Sequence, residues 1–490
     1  MSDKPDSPSA VPFRFDKIAD KVLVTNDAGD YVFLTDDEFK IFADDGVAEG
    51  TELHEKLTRK QMLHGAATED YLVDKIRSKH SFLNFGPYLH IAILTLRCNE
   101  ICVYCHASRR GMEETSFDMS VETAHQVVDL AFKSPSPNII IEFQGGEPLA
   151  NWDALKYIIE YSVEKNKTEK KELGFSLVSN MSLMDEEKLE YLMANNVQMC
   201  TSIDGPKDLH DGNRKLLGGS SYDRAVYWMK RVDDEYRAKG LETDLYHVEA
   251  LLTTTRNTVK RPRDVVDEYI SLGRKAIFLR PLNPFGFAKS TFDRIGYTTD
   301  EFLAFYREAV DYMIELNRQG VEILERTAAI LLTKIMTPVD PNYLDLRSPC
   351  GAGVGQIAYN YDGALYTCDE GRMVSRMGDD IFQIGHVKSS AYNDVVGHET
   401  VKAIAVASCL DGIPGCTDCV FKPYCGVCPV YNYAEQGTIF GQTPTNERCK
   451  LYIGVLRYLF EKLSNADDQL LDILSKWTIM RDRDVYFVHE

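Results

Sequence analysis

The chain has 490 residues, with 75 acidic against 55 basic side chains and a formal charge of −20, which argues against a nucleic-acid partner because phosphate binding needs a basic face. Hydrophobic content of 44% and charged content of 27% are those of an ordinary globular protein with room for two or three domains. No apolar run approaches the ~18 residues of a membrane span, and the opening MSDKPDSPSAVPF lacks a basic segment followed by an apolar one, so a cytoplasmic protein with no membrane partner is expected.

In chain order, residues 1–12 read as a disordered tail and 13–84 as a small α+β domain. In that domain two β-rich runs, 22–24 and 31–34, flank the turn sequence at 26–30, and Thr35-Asp36-Asp37-Glu38 has the pattern of a capping box that opens a helix. Further helical stretches end near Lys79. The unit suits a peptide-recognition element or a simple cap equally well. Residues 85–300 then alternate β-runs, at 89–96, 139–143, 173–178, 197–203, 248–253 and 276–279, with helices near 119–133, 152–166, 185–195, 221–239 and 260–272. Six β/α units imply an α/β fold with a parallel sheet, open or closed into a barrel, whose functional loops gather at the carboxyl ends of the strands. A helical bridge (301–345), a Cys-rich region (346–465) with a closing helix at 451–462, and a tail (466–490) complete the chain.

Eleven of the twelve cysteines fall in two sets, three near residue 100 and eight after residue 349. In a cytosolic chain this clustering favours metal binding over disulfides. Cys200 stands alone and reads as a packed core thiol. Directly after the first β-run comes Cys98-x3-Cys102-x2-Cys105. Three thiolates on one short loop can hold three corners of a 4Fe–4S cube and leave one iron open for chemistry; zinc with a distant fourth ligand is the other reading. The next strand ends carry Gln144-Gly145-Gly146-Glu147-Pro148, then Ser179-Asn180-Met181, then Ser202-Ile203-Asp204-Gly205-Pro206 with His210 and Arg214 downstream. The C-terminal set reads Cys350-x12-Gly363-x4-Cys368, then Cys416-x2-Cys419-x5-Cys425-x2-Cys428, then Cys449, with Cys409 outside the pattern. Asp369 and Glu370 follow Cys368 directly.

The three-cysteine loop, with Tyr104 before its last cysteine, resembles that of the radical S-adenosylmethionine (SAM) superfamily. The resemblance implies a partial (β/α)6 TIM-like barrel, a 4Fe–4S cluster on Cys98, Cys102 and Cys105, and reductive cleavage of SAM to a 5′-deoxyadenosyl radical that abstracts hydrogen. It implies SAM contacts at Tyr104, at Gly145, Gly146 and Glu147 (the family's GGEP), and at Ser179 and Asn180, where Met181 replaces a glycine of the family pattern. Ser202, Asp204 and Arg214 match the SxDGP…H…R pattern of peptide-modifying members, in which the Ser and Arg hold the ribose and carboxylate of SAM. The C-terminal region resembles the SPASM extension, which carries two auxiliary 4Fe–4S clusters and so brings the expected total to three. By position, Cys416, Cys419, Cys425 and Cys449 hold one. Cys350, Cys368 and Cys428 hold the other, with Cys409, an open iron or a non-Cys ligand as its fourth corner; the last spacing is x2 where the family has x3. Asp369 matches the base of the anaerobic sulfatase maturases, with Glu370 as the alternative.

Longer stretches, among them CVYCHASR, CTSIDGPKDLHDGNR and LDLRSPCGAG, resemble the maturase of the His-Xaa-Ser peptide system over roughly 85–460. A peptide substrate is therefore expected, with a His/Ser-rich sequence and a leader as one form of it, together with an external electron donor such as flavodoxin or ferredoxin. A sulfatase-type maturase forming formylglycine is the competing enzyme, although the extra cysteine typical of that group is missing from 351–356. A non-catalytic iron–sulfur or zinc scaffold is the competing non-enzyme.

Overall fold

The computed structural model describes residues 9–242, 244, 246–341 and 346–478. The expected disorder at 1–8 and parts of the bridge and tail, at 342–345 and 479–490, lie outside the described residues. Strands β1 (Phe13–Ile18), β2 (Lys21–Asn26) and β3 (Tyr31–Leu34) form an antiparallel meander. Glu38 N donates to Thr35 Oγ1 at 3.2 Å and Thr35 N to Glu38 Oε2 at 2.7 Å, so the capping box forms and opens α1 (Asp36–Lys40). Helices α2 (Glu52–Arg59) and α3 (Ala66–His80) follow, around a core of Val24, Leu34, Leu57 and Met62.

The unit is also docked on the Cys-rich region. Thr25 Oγ1 donates to Val420 O at 2.8 Å, Tyr424 OH donates to Gly29 O at 3.0 Å, and the buried ring of Phe460 meets Tyr31 and Phe33 edge-on. Deleting 13–79 is therefore expected to lower iron content, because it uncovers the loop that carries Cys416, Cys419 and Cys425. Iron quantification on the truncated protein tests this; unchanged iron would mean that the loop holds itself.

From residue 89 come β4 (Leu89–Thr95), β5 (Glu100–Cys102), α4 (Val121–Ala131), β6 (Asn138–Gly145), α5 (Trp152–Glu169), β7 (Glu172–Val178), α6 (Glu186–Ala194) and β8 (Val197–Ser202). Next are α7 (Lys207–Asn213), β9 (Arg214–Leu216), β10 (Gly219–Ser220), α8 (Ser221–Ala238), β11 (Glu249–Leu251), α9 (Pro262–Ser271), β12 (Ala276–Ile277) and α10 (Phe287–Ile295). The fold is α/β. Strands β11-β8-β7-β6-β4 are parallel neighbours in one sheet, so five of the six expected strands line up. The sixth, β12, pairs instead with a later strand, β13 (Leu324–Glu325). Its ladder is cut short because the Glu325 carboxylate accepts from Leu279 N at 3.2 Å, and Arg280 O turns to accept from Thr254 N at 3.1 Å.

On β6 Ile139, Ile141 and Phe143 are fully buried and the intervening positions half-buried, and buried and half-buried positions alternate in the same way at 175–178 of β7 and 199–202 of β8. Parallel register puts Glu142 beside Ser176, and Cys200 beside both Val178 and Glu249. One sheet face is therefore apolar under the helices and the other lines a polar interior.

After β12 come α11 (Thr299–Arg318), α12 (Arg326–Met336), β14 (Gln356–Tyr359), β15 (Ala364–Tyr366), α13 (Asp369–Ser375) and β16 (Gln383–His386). The remaining helices are α14 (Tyr392–Val396), α15 (Glu399–Ala407), α16 (Pro429–Gln436), α17 (Glu447–Ser464) and α18 (Asp468–Trp477). β14 adds in parallel to the free edge of β4, and β15 and β16 continue the sheet. The Cys-rich region thus covers an edge that the first strand would leave open, and His90 on β4 bonds Tyr359 OH at 2.8 Å across that seam. The segment expected as a tail is in part a helix: α18 buries Leu470, Ile473, Leu474 and Trp477, an i, i+3, i+4, i+7 stripe, against α11 and α12. Among the described residues no helix is long and apolar enough to cross a membrane.

Candidate functional site

The cysteine loop leaves β4 at its carboxyl end and is pinned on both sides. Arg97 donates to Asp118 Oδ2 and Ala150 O, both at 2.6 Å, and β5 pairs with β9 so that Cys102 lies opposite Arg214. Cys98 Sγ accepts from Glu100 N at 3.4 Å and faces Asn180 Nδ2 at 3.7 Å; Arg214 Nη1 faces Cys102 Sγ at 3.8 Å. Burial is the first cause that raises all three thiols above their ordinary value, and Cys98 and Cys105 add to it at Cys102. Backbone groups of residues 107–109 pull the other way at Cys105. Among the described residues no three His, Cys, Asp or Glu side chains close on a single metal ion. The fit to an iron–sulfur cluster rests on the donor set: three mutually repelling soft sulfurs, desolvated, with one guanidinium and several N–H groups turned on them.

Gly145 and Gly146 owe their identity first to this loop. A Cβ at Gly145 would collide with Thr95 O, and one at Gly146 with Arg97 O. Gly146 N donates to Thr95 O at 2.8 Å and Glu147 N to Arg97 O at 2.7 Å. The sequence suggested close backbone approach to a ligand; the approach shown is to the chain's own cysteine loop. Glu147 is fully buried and accepts from Leu149 N at 3.0 Å and from Ser179 Oγ and Asn180 N at 2.8 Å. Its side chain ties strand ends together, and Ser179 is committed with it. Met181, where the family pattern has glycine, has φ +59°, so the turn keeps the left-handed conformation at some cost in strain.

Burial pushes the Glu147 carboxyl from 4.5 up to about 7, against the pull of its three donors. The folded state thus retains a proton that the unfolded chain releases, and this contribution, full below 4.5, is lost as pH rises through about 7. With Glu147→Gln, the excess Tm of wild type over variant is expected to shrink between about pH 5 and 8. A constant difference would mean that Glu147 is ionised throughout.

Asp204 is likewise fully buried and internal. It accepts from Tyr104 OH, from Asn213 Nδ2 at 3.2 Å, from Arg214 Nε at 3.3 Å and from Thr253 N at 3.2 Å. Arg214 also lies over the Tyr104 ring at 5.2 Å. Tyr104 and Asp204, expected as cofactor contacts, therefore hold the loop and aim Arg214 at Cys102. His210 Nδ1 accepts from Asp204 N at 3.2 Å, and its Nε2 faces Ser221 Oγ at 2.9 Å. Burial brings it down to about 4, so it is a neutral structural link. Ser221 in turn donates to Glu100 Oε1 at 2.5 Å. Glu100, 1% exposed, escaped the sequence reading; its place between two cysteines was the available signal. Ser202, half-buried at the end of β8 and paired there with Leu251, makes no side-chain hydrogen bond among the described residues. With Asn180 and Arg214 it is one of the expected contacts that are not fully buried.

The polar interior was not legible as a site. Glu142 on β6 accepts from Gln144 Nε2 at 2.5 Å and Ser176 Oγ at 3.2 Å. Burial raises it, with Asp369 adding and Arg280 opposing. Cys200 is raised by burial and then by Glu249, with Arg326, Glu142 and Arg280 as further neighbours. It faces this interior rather than the packed core.

The C-terminal thiols separate into two groups. Cys416, Cys419, Cys425 and Cys449 line one cavity, where burial and then neighbouring thiols raise Cys416 and Cys425 to about 12. Cys350, Cys368 and Cys428 form the other group: burial raises Cys368, with Glu370, Cys428 and Cys350 next. Cys428 also lines the first cavity. Cys368 caps α13, accepting from Gly371 N at 3.2 Å, and Cys428 caps α16, accepting from Tyr431 N at 3.4 Å. Two sulfurs at helix N-termini suit thiolates. Cys409 lies against Asp411, Sγ to Oδ2 4.0 Å, and is not among the groups that most affect the three thiols; Glu370 is the group beside them. Asp369, the expected base, takes Arg372 Nε on Oδ1 at 2.8 Å.

Residues 92–245 match the family model described as the radical SAM superfamily. A protein of Archaeoglobus fulgidus without a functional name is 25% identical over 73% of this chain and 77% of its own. A cysteine-type anaerobic sulfatase-maturating enzyme of Clostridium perfringens is 25% identical over 56% of this chain and 71% of its own. In fold, anSMEcpe with bound AdoMet and the Cp18Cys peptide superposes with a TM-score of 0.63 at 20% identity, covering 80% of this chain and 100% of that one. Streptococcus suis SuiB bound to its precursor peptide SuiA gives 0.52 at 12% identity, covering 89% and 98%.

Proposed function

We propose that this chain, which carries a radical SAM domain and is related in sequence to sulfatase-maturating enzymes, modifies a ribosomally made peptide by hydrogen abstraction. The observation that carries the reading is the polar interior. There Glu142 accepts from Gln144 Nε2 at 2.5 Å and Ser176 Oγ at 3.2 Å, and Asp369, Arg280 and Cys368 act, after burial, on the Glu142 and Glu370 carboxyls. A substrate seated there would meet the cysteine-loop strand ends at one side and the Cys350, Cys368 and Cys428 group at the other.

When bound, a 4Fe–4S cluster on Cys98, Cys102 and Cys105 and its SAM supply a carbon-centred radical. The chain's residues do the rest. Arg214 is held by Asp204 and Tyr104 to offer its guanidinium to a carboxylate, and Asn180, Ser202 and the backbone at Gly145 and Gly146 complete a SAM seat. Glu142, Gln144 and Arg280 orient a peptide by polar contacts. Asp369, through Oδ2, accepts the proton released as the substrate is oxidised. Cys416, Cys419, Cys425 and Cys449 would hold one auxiliary cluster, and Cys350, Cys368 and Cys428 another, and such clusters would supply one-electron acceptor chemistry. A small acidic protein such as flavodoxin or ferredoxin supplies the first electron.

The narrower reading is a His-Xaa-Ser-type peptide maturase, supported by the long stretches around its motifs and by the absence of a cysteine at 351–356. The formylglycine-forming reading is favoured by the Clostridium perfringens relative. Anaerobically reconstituted protein given SAM and dithionite is expected to release 5′-deoxyadenosine. Mass spectrometry of a His/Ser-rich peptide encoded beside the gene, against a sulfatase peptide, separates the two. No deoxyadenosine from protein with full iron would overturn the enzyme reading.

A further inference from the structure

A cavity of ≈290 Å³ opens beside the cysteine loop, lined by Val103, Asn213, Lys215, Arg256, Asn257 and Arg294 among others. Val103 lies between two of the loop's cysteines, and its N–H donates to Asn213 O at 2.9 Å. Lys215, Arg256 and Arg294 are exposed, and none forms an ion pair among the described residues; Arg256 Nε donates to Gly296 O at 2.7 Å. No carboxylate lines the cavity. The acids around it are committed or exposed: Asp211, next to Gly212, accepts from Ser220 Oγ at 2.7 Å and Tyr222 N at 3.0 Å, Asp204, bonded to Asn213, is fully buried, and Asp293 and Glu301, which feels Arg256 and Lys260, are exposed.

Around the cations stand exposed apolar side chains: Leu217 at 81%, Phe292 at 42%, and Ile101 at 39%, the register partner of Lys215. The patch is fastened to the loop itself. On α10, Thr291 Oγ1 donates to Val103 O and Phe287 N to Cys105 O, both at 2.9 Å.

We infer that this patch docks an acidic one-electron carrier protein and delivers its electron to the Cys98, Cys102 and Cys105 cluster. The inference rests on the radical SAM reading above. In a chain of net charge −20, unpaired cations gathered on one cavity are unexpected unless something anionic meets them. Remote surface charge is screened beyond about 8–10 Å at physiological salt, so the local positive field decides which partner face approaches. A cationic ring with a few apolar contacts suits the small, transient interfaces of redox partners. The carrier loses one electron and the cluster gains it, and no bond or proton moves.

The test uses reconstituted protein and reduced flavodoxin as the acidic carrier. Lys215→Glu with Arg294→Glu is expected to raise the flavodoxin Kd at least about tenfold at low salt and to flatten its salt dependence. Deoxyadenosine formation driven by dithionite should stay within about twofold of wild type, so the loss should appear only with the protein donor. Should charge reversal disturb folding, Lys215→Ala with Arg294→Ala is measured in the same way. Equal flavodoxin affinity in wild type and variant overturns the docking site. So does inorganic pyrophosphate binding at the cavity while flavodoxin binds elsewhere, which would make it a small-anion site. Wild type that makes no deoxyadenosine with dithionite would fail the enzyme reading, a result distinct from either.

Discussion

Replacing Cys98, Cys102 and Cys105 together by Ala is expected to bring deoxyadenosine formation to background and to remove about four iron atoms per chain, the content of one cube. The fold should survive. Residues other than the three cysteines hold the loop: Arg97 through Asp118 and Ala150, Tyr104 through Asp204, and the β5–β9 backbone pairing. The two C-terminal thiol groups share no side chain with the loop, so their iron and absorbance should remain. Deoxyadenosine production by a fully reconstituted triple variant would contradict assignment of the first cluster to this loop. Loss of all iron would mean that the three thiol groups assemble as one unit.

Asp369→Asn is expected to lower mature product by about 10²–10⁴-fold while deoxyadenosine formation and iron content continue, the pattern of a lost proton acceptor. The residue sits in the first turn of α13, directly after Cys368, whose sulfur caps that helix. Asn can still accept from Arg372 Nε but offers Arg372 no charge. Arg372 is 1% exposed, and its Nη1 has no partner. Some loss of stability should therefore accompany the change, short of the ~3–5 kcal/mol seen when a buried pair is broken outright. Glu370→Gln is the necessary companion. Burial raises that carboxyl, and after burial it is what most raises the Cys368 thiol. Normal product in Asp369→Asn with lost product in Glu370→Gln would move the base by one residue; lost iron in Glu370→Gln would make Glu370 the fourth corner of that cluster.

The sequence by itself determined the elements whose signals are local. Strand runs at 89–96, 139–143, 173–178 and 197–203 were legible because β-rich apolar segments between capped helices have few alternatives. The Thr35–Glu38 capping box was legible because its two hydrogen bonds are made within four residues. The Cys98–Cys105 and Cys416–Cys425 sets were legible because several thiols fall on one short stretch, whereas the Cys350, Cys368 and Cys428 group, spread along the chain, was expected only from the family resemblance. The α18 stripe is a local signal of the same kind, present in DQLLDILSKW.

Only the tertiary structure decided which motif side chains face each other. Glu147, Ser179, Tyr104 and Asp204 look like cofactor contacts in a linear motif, yet their polar atoms meet partners between 30 and about 100 residues away, and no spacing rule encodes such pairs. Likewise the β14 addition to β4, the pairing of β12 with β13, and the gathering of Glu142, Cys200, Arg280 and Glu370 around one interior depend on where segments far apart in the chain come to rest. A buried polar group must be satisfied by whatever the fold brings within reach, and that is a property of packing rather than of neighbouring sequence.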